Sequence, residues 1–176
     1  MADELCELAR HLLKREPKKP RQATLRRAVS TAYYAVFHLF GEECTRLALQ
    51  GDLVRKKARR VVAHAHIGKL RETLRQRRLP QPWHFHEDEA PCRSTLENLR
   101  RMTEIAKELQ EARHEADYDA QAWFSRKDAE QQVRRAEQAI RLWDGLRKHA
   151  DSCQRCRRAL QLFAAAVIFG PRRHVS

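Results

Sequence analysis

The chain has 176 residues, 36 of them Lys or Arg against 23 Asp or Glu, for a formal charge of +13. Five Gly and six Pro are too few for a collagen-like or low-complexity chain, and three Trp, three Tyr and six Phe are too many for outright disorder. Scarce Gly and little Val/Ile/Thr alternation argue against an all-β fold, which leaves an Arg-rich, Ala/Leu-rich helical domain long enough to bury a sizeable core.

The N-terminus, Met1-Ala2-Asp3-Glu4, carries early acids and no apolar run, so it does not read as a secretory signal. Leu5, Leu8, Leu12 and Leu13 repeat at helical spacing and predict a short helix over 3–15, which Pro17 and Pro20 end. Leu25, Ala28, Val29, Ala32, Val36, Leu39, Phe40 and Leu47 form one stripe and predict a second helix from about 22 to 49, stopped by Gly51-Asp52. A third covers roughly 53–78, with Val61, Val62, Ala65, Leu70 and Leu74 inward and His66-Ile67-Gly68 as its point of interruption. Pro80, Pro82 and Pro91 bracket a loop that holds His84, His86 and the acidic triplet Glu87-Asp88-Glu89. Ser94 or Thr95 is the expected cap of a fourth helix, which follows Leu96, Leu99, Met102, Ala106, Leu109 and Ala116. Ser125 with Asp128 is a capping pair for a fifth, whose stripe is Ala129, Val133, Ala136, Ile140 and Trp143. A last helix, about 152–169, stops at Gly170-Pro171, and the tail from Arg172 to Ser176 reads as loose. Such helices, joined by short connections, predict an all-α fold, an antiparallel helical bundle. The longest apolar stretch, Leu162 to Gly170, is too short to span a bilayer, so no membrane partner is expected.

Five Cys is an odd number, and the residues read as reduced thiols of a cytoplasmic protein. Cys153-Gln154-Arg155-Cys156 is a single CxxC with His149 four residues upstream. A structural zinc site needs four ligands, and the sequence offers no convincing second pair nearby. Cys153 and Cys156 are therefore read as helix-end cysteines, and neither a metal nor a cofactor is expected.

The positive charge is clumped. Lys14, Arg15, Lys18, Lys19, Arg21, Arg26 and Arg27 form one cluster, and Arg55, Lys56, Lys57, Arg59 and Arg60 a second. Lys69, Arg71, Arg75, Arg77 and Arg78 form a third, and Arg155, Arg157 and Arg158 a fourth. Such clusters neutralise phosphates and release counterions, the footprint of a nucleic-acid surface. An Arg-rich composition with solvated helix faces gives the same pattern. No aromatics are interleaved with the runs, so sequence-specific single-strand readout is not supported.

Two segments carry chemistry. On a helix, Ser30, Tyr34 and His38 share one face, and Tyr33 and Phe37 the neighbouring one. Arg113 is in register with Ala106, Leu109 and Ala116, so it points along the buried stripe, where a guanidinium is costly unless paired. Asp117 follows one turn later and Tyr118 directly after it. An inward Arg–Asp–Tyr group is either an interhelix clamp or a site for an anionic ligand, and spacing does not separate the two.

The segment from Arg27 to His38, reading Arg-Ala-Val-Ser-Thr-Ala-Tyr-Tyr-Ala-Val-Phe-His, resembles the second-helix signature of HEPN-domain proteins. His66-Ile67-Gly68 resembles the His-x-Gly of the same branch, and Arg113 to Tyr118 its Arg-x-x-Ala-Asp-Tyr motif. The motifs occur in order over roughly residues 22–147. The resemblance implies four core helices with flanking ones, which gives a HEPN-like bundle over 1–150; the segments before 20 and after 150 lie outside the match, and 151–176 reads as a C-terminal helix and basic tail. It also implies a prokaryotic toxin–antitoxin or antiviral defence context, and a homodimer or a complex with a partner such as a nucleotidyltransferase or a defence effector. Ser30, Tyr33, Tyr34, His66, Asp117, Arg26 and Arg27 would bind RNA, a nucleotide or that partner.

Active members of the family cleave RNA without metal, using an Arg and a His separated by four to six residues. Here Arg113 is followed, after four residues, by Tyr118 in place of His. Either the subunit binds without catalysis, or it is an endoribonuclease. In that case Arg113 holds the phosphate, His114 or His66 titrates, and Tyr118 donates or orients.

Overall fold

A computed structural model describes residues 1–170. The expectation of a loose tail at Arg172–Ser176 lies outside them. The fold is an all-α helical bundle of seven helices among the described residues, which contain no strand. In chain order these are α1 (Ala2–Lys14), α2 (Gln22–Ala48), α3 (Asp52–Arg59), α4 (His64–Arg75), α5 (Arg93–Tyr118), α6 (Arg126–Ser152) and α7 (Gln154–Phe169). The residues group into two compact units: Met1–Leu39 with Ile105–Arg141, and Phe40–Glu104 with the chain from Leu142 onward.

In the first unit, α1 has Asp3 and Glu4 in its first turn and His11 and Lys14 in its last, matching the helix dipole at both ends. Its buried residues are Ala2, Cys6, Ala9 and Leu13. This corrects the predicted leucine stripe in part: Leu13 is buried as expected, but Leu8 is exposed, Leu5 and Leu12 are half-buried, and Ala2, Cys6 and Ala9 take the other inward positions. The predicted stripe of α2 is buried from Leu25 to Leu39. The opening of α6 is a reciprocal capping box, as expected: Ser125 N–H donates to Asp128 Oδ2 at 2.9 Å, and Asp128 N–H to Ser125 Oγ at 3.1 Å.

The second unit departs more from the sequence reading. The single helix predicted over 53–78 is two helices, broken at Arg60–Ala63 rather than at His66-Ile67-Gly68. The break resets the helical phase, so Val61 and Ala65 are exposed while Val62, Ile67, Leu70 and Leu74 are buried. None of the residues of α3 is buried. Helix α4 packs on α7. Helix α5 starts at Arg93, so Thr95 lies inside it as a buried residue rather than as its cap. Trp83 is buried from the proline loop, and Arg158 pairs with the Glu89 carboxylate of that loop at 3.6 Å. Glu43 is 8% exposed and takes Trp143 Nε1–H at 3.0 Å, Arg147 at 3.1 Å and Arg46 at 2.6 Å. Gly170 ends α7 at φ +79°, a left-handed conformation that L side chains rarely adopt.

Candidate functional site

The end of α5 and the first half of α2 build the Arg113 group, wholly inside the first unit. Arg113 Nε lies 2.7 Å from Asp117 Oδ2, one turn along the same helix. Its Nη2 donates to Tyr34 OH at 2.8 Å and to Tyr118 OH at 3.2 Å. The guanidinium carbon also stands 5.5 Å and 5.0 Å from the centroids of those two rings, within cation–π range. Ser30 Oγ–H donates to the other oxygen of Asp117. The inward turn expected of Arg113 is therefore met, with its side chain 18% exposed and that of Asp117 28%. Nε itself is buried without a hydrogen bond, so its contact with Asp117 is an ion pair off the N–H axis.

Electrostatically the guanidinium is paired. Burial works against the charged guanidinium, but Tyr118, Tyr34 and Asp117 outweigh it and hold the Arg113 pKa above the ordinary arginine value. Burial pushes the Tyr33 phenol up, with Arg113 partly opposing. Tyr33 packs on Tyr34 at 5.5 Å and stacks on Phe37 at 6.0 Å, as an inward ring should. Its phenol is neutral at physiological pH and suits packing, not proton transfer.

The other predicted residues divide. Arg26 donates to the backbone carbonyls of Ala116 at 3.3 Å, Ala120 at 3.2 Å and Ala122 at 2.5 Å, so it caps the end of α5 and pins the following loop. Gln22 completes that pinning by exchanging two hydrogen bonds with the backbone of Phe124. Arg27 is exposed. His114 is exposed and its ring lies 5.1 Å from that of Tyr118, which is 64% exposed. His66 belongs to the second unit, where its Nδ1 stands 3.1 Å from Val167 O and helps to close α7. Val167 O takes that bond from the Nδ1–H tautomer of the ring.

In the second unit the fold brings Cys92 beside His149 and the CxxC, a partner that the sequence did not place there. Cys92, His149, Cys153 and Cys156 present donor atoms that all lie within 4.8 Å of one another. The His149–Cys153 spacing of four was visible in the sequence. Cys92 was not, because it lies 61 residues before Cys153 and arrives only through the tertiary fold.

Comparisons of the chain with protein-family models, with curated proteins and with solved structures find no match.

Proposed function

We propose that the chain is a HEPN-like subunit of a prokaryotic defence or toxin–antitoxin assembly, which binds RNA through its exposed basic runs without cleaving it. The observation that carries this reading is the closure of Arg113. Its charge is cancelled by Asp117 and its Nη2 is shared between two phenols. A phosphate would have to compete with a carboxylate already in contact, and with the nearby Glu115 and Asp119. The residue that follows Arg113 after four others is the phenol of Tyr118, not an imidazole. Arg113 then acts as a clamp between α2 and α5.

Charge available to RNA lies elsewhere. On α3 and just after it, Lys56, Lys57 and Arg60 are exposed, beside exposed Leu53, Val54 and Val61. That mixture suits a basic RNA surface next to an apolar patch for a second copy or a partner protein.

The test is binding of a fluorescent single-stranded RNA across a salt series. Binding should weaken as salt rises. Reversing two charges, Lys56→Glu with Lys57→Glu, should flatten the log–log salt slope by about 1.4, at roughly 0.7 for each phosphate that is no longer neutralised. An unchanged slope in that variant removes α3 from the interface, and salt-insensitive failure to bind any RNA removes the reading. One observation favours a second reading, a metal-independent ribonuclease: His114 and Tyr118 stand together at the exposed edge of the Arg113 group.

A further inference from the structure

We propose that Cys92, His149, Cys153 and Cys156 form a structural zinc site that fastens the start of α5, the end of α6 and the start of α7 to one another.

The donor set is the first argument. Three thiols and an imidazole are soft and borderline ligands, a set that suits tetrahedral Zn²⁺ and disfavours Mg²⁺ or Ca²⁺. Four protein donors leave no open position, which marks a structural rather than a catalytic centre. The geometry is the second. The donor atoms lie within 4.8 Å of one another. A zinc tetrahedron with ordinary Zn–S and Zn–N bonds has edges of about 3.5–3.8 Å. Closing a gap of about an ångström needs only side-chain rotation, because the backbone already brings the donors to one point.

The third argument is the support around the sulfurs. Cys156 Sγ is buried and accepts from Cys92 N–H and from Thr95 Oγ1–H, both at 3.3 Å. Thr95 is itself buried, so its hydroxyl has been taken out of water to face a sulfur. Cys153 sits at the N-cap of α7, directly before its first turn. Donors aimed at the ligand atoms are the usual outer shell of a metal–thiolate centre. Three thiolates and one Zn²⁺ leave a net charge of −1, which suits a helix N-terminus followed by Arg155 and Arg157. On binding, each of the three thiols gives its proton to solvent as its Zn–S bond forms, and neutral His149 donates its ring lone pair. The exposed His149 and the half-buried Cys92 and Cys153 leave a way in for the ion.

The competing state of a CxxC at a helix start is a disulfide, and the test separates the two. The tag-free full chain is produced with zinc in the medium, purified anaerobically and analysed for metal against protein mass. One zinc per chain is expected, and Co²⁺ in its place should give the intense visible bands of tetrahedral thiolate coordination. His149→Ala changes an exposed side chain and should weaken zinc binding at least about tenfold, with His149→Cys restoring it. Cys153→Ser should remove stoichiometric zinc while the far-ultraviolet circular dichroism stays helical. Three results would each overturn the assignment: zinc below about a tenth per chain with no cobalt bands, iron with acid-labile sulfide, or a Cys153–Cys156 disulfide in the anaerobic protein.

Discussion

Replacing Arg113 by alanine asks whether the guanidinium holds the fold or waits for a ligand. In the clamp reading, Arg113→Ala strands a carboxylate and a phenol at once. Removing one partner of a fully buried ion pair costs about 3–5 kcal/mol. The two side chains are 18% and 28% exposed, so water screens part of that loss. A remainder of roughly 2–3 kcal/mol, plus about 1 kcal/mol for the missing hydrogen bond to Tyr34, gives about 3–4 kcal/mol. For a chain of this size each kcal/mol moves Tm by about 2–4 °C, so the transition should fall by about 6–16 °C. Arg113→Met with Asp117→Leu removes both charges and keeps the volume, and should lie within about 1 kcal/mol of wild type. Thermal and urea unfolding followed by circular dichroism measure both. A group kept for a ligand behaves oppositely, because functional sites are often locally unstable and their loss often stabilises. A Tm for Arg113→Ala within about 1 °C of wild type, or above it, would refute the clamp.

Three further predictions concern the fold around these groups. Gly170→Ala places a Cβ 3.2 Å from the His66 ring at a φ of +79°, and should cost about 1–3 kcal/mol in urea unfolding; no loss would mean that the left-handed stop is not required. Glu43→Ala leaves the Trp143 indole N–H and two arginines without their shared carboxylate and should cost about 2–4 kcal/mol, with a red shift of tryptophan emission; an unchanged spectrum and stability would contradict the buried bond. Burial, reinforced by Glu137, raises the Cys6 thiol from 9.0 to about 11, so the fold favours the protonated form. That stabilisation is whole below pH 9 and is lost as pH climbs through 11, by at most about 2.7 kcal/mol in all. Cys6→Ala should flatten the fall in unfolding free energy over this window, and an identical slope would show that Cys6 does not titrate there.

Much of the fold was legible because helical periodicity is a local signal. The stripes of α2, α5 and α6 and the capping box at Ser125 and Asp128 follow from spacing alone. The errors have physical sources. Leucines mark a stripe only when volume is needed, and α1 turns Ala2, Cys6 and Ala9 inward instead. The break between α3 and α4 carries neither Gly nor Pro, so no local stop signal announced it. At the Arg113 group, the Asp117 pairing could be read from the i+4 spacing. The hydrogen bonds to Tyr34 and from Ser30 needed the packing of α2 on α5. Arg26 looked like surface charge, yet it serves three backbone carbonyls, a role that no side-chain pattern encodes. The gathering of Cys92 with His149, Cys153 and Cys156 is likewise a product of long-range topology.

Incubating labelled single-stranded RNA with the wild-type chain as purified and with Arg113→Ala, in buffer without added divalent metal, and following chain breaks over hours, tests the role of Arg113 most directly. If Arg113 is spent on Asp117 and the two phenols, both proteins bind the RNA and leave it intact. Strand scission by the wild type that disappears in Arg113→Ala would contradict that and make the guanidinium a phosphate ligand.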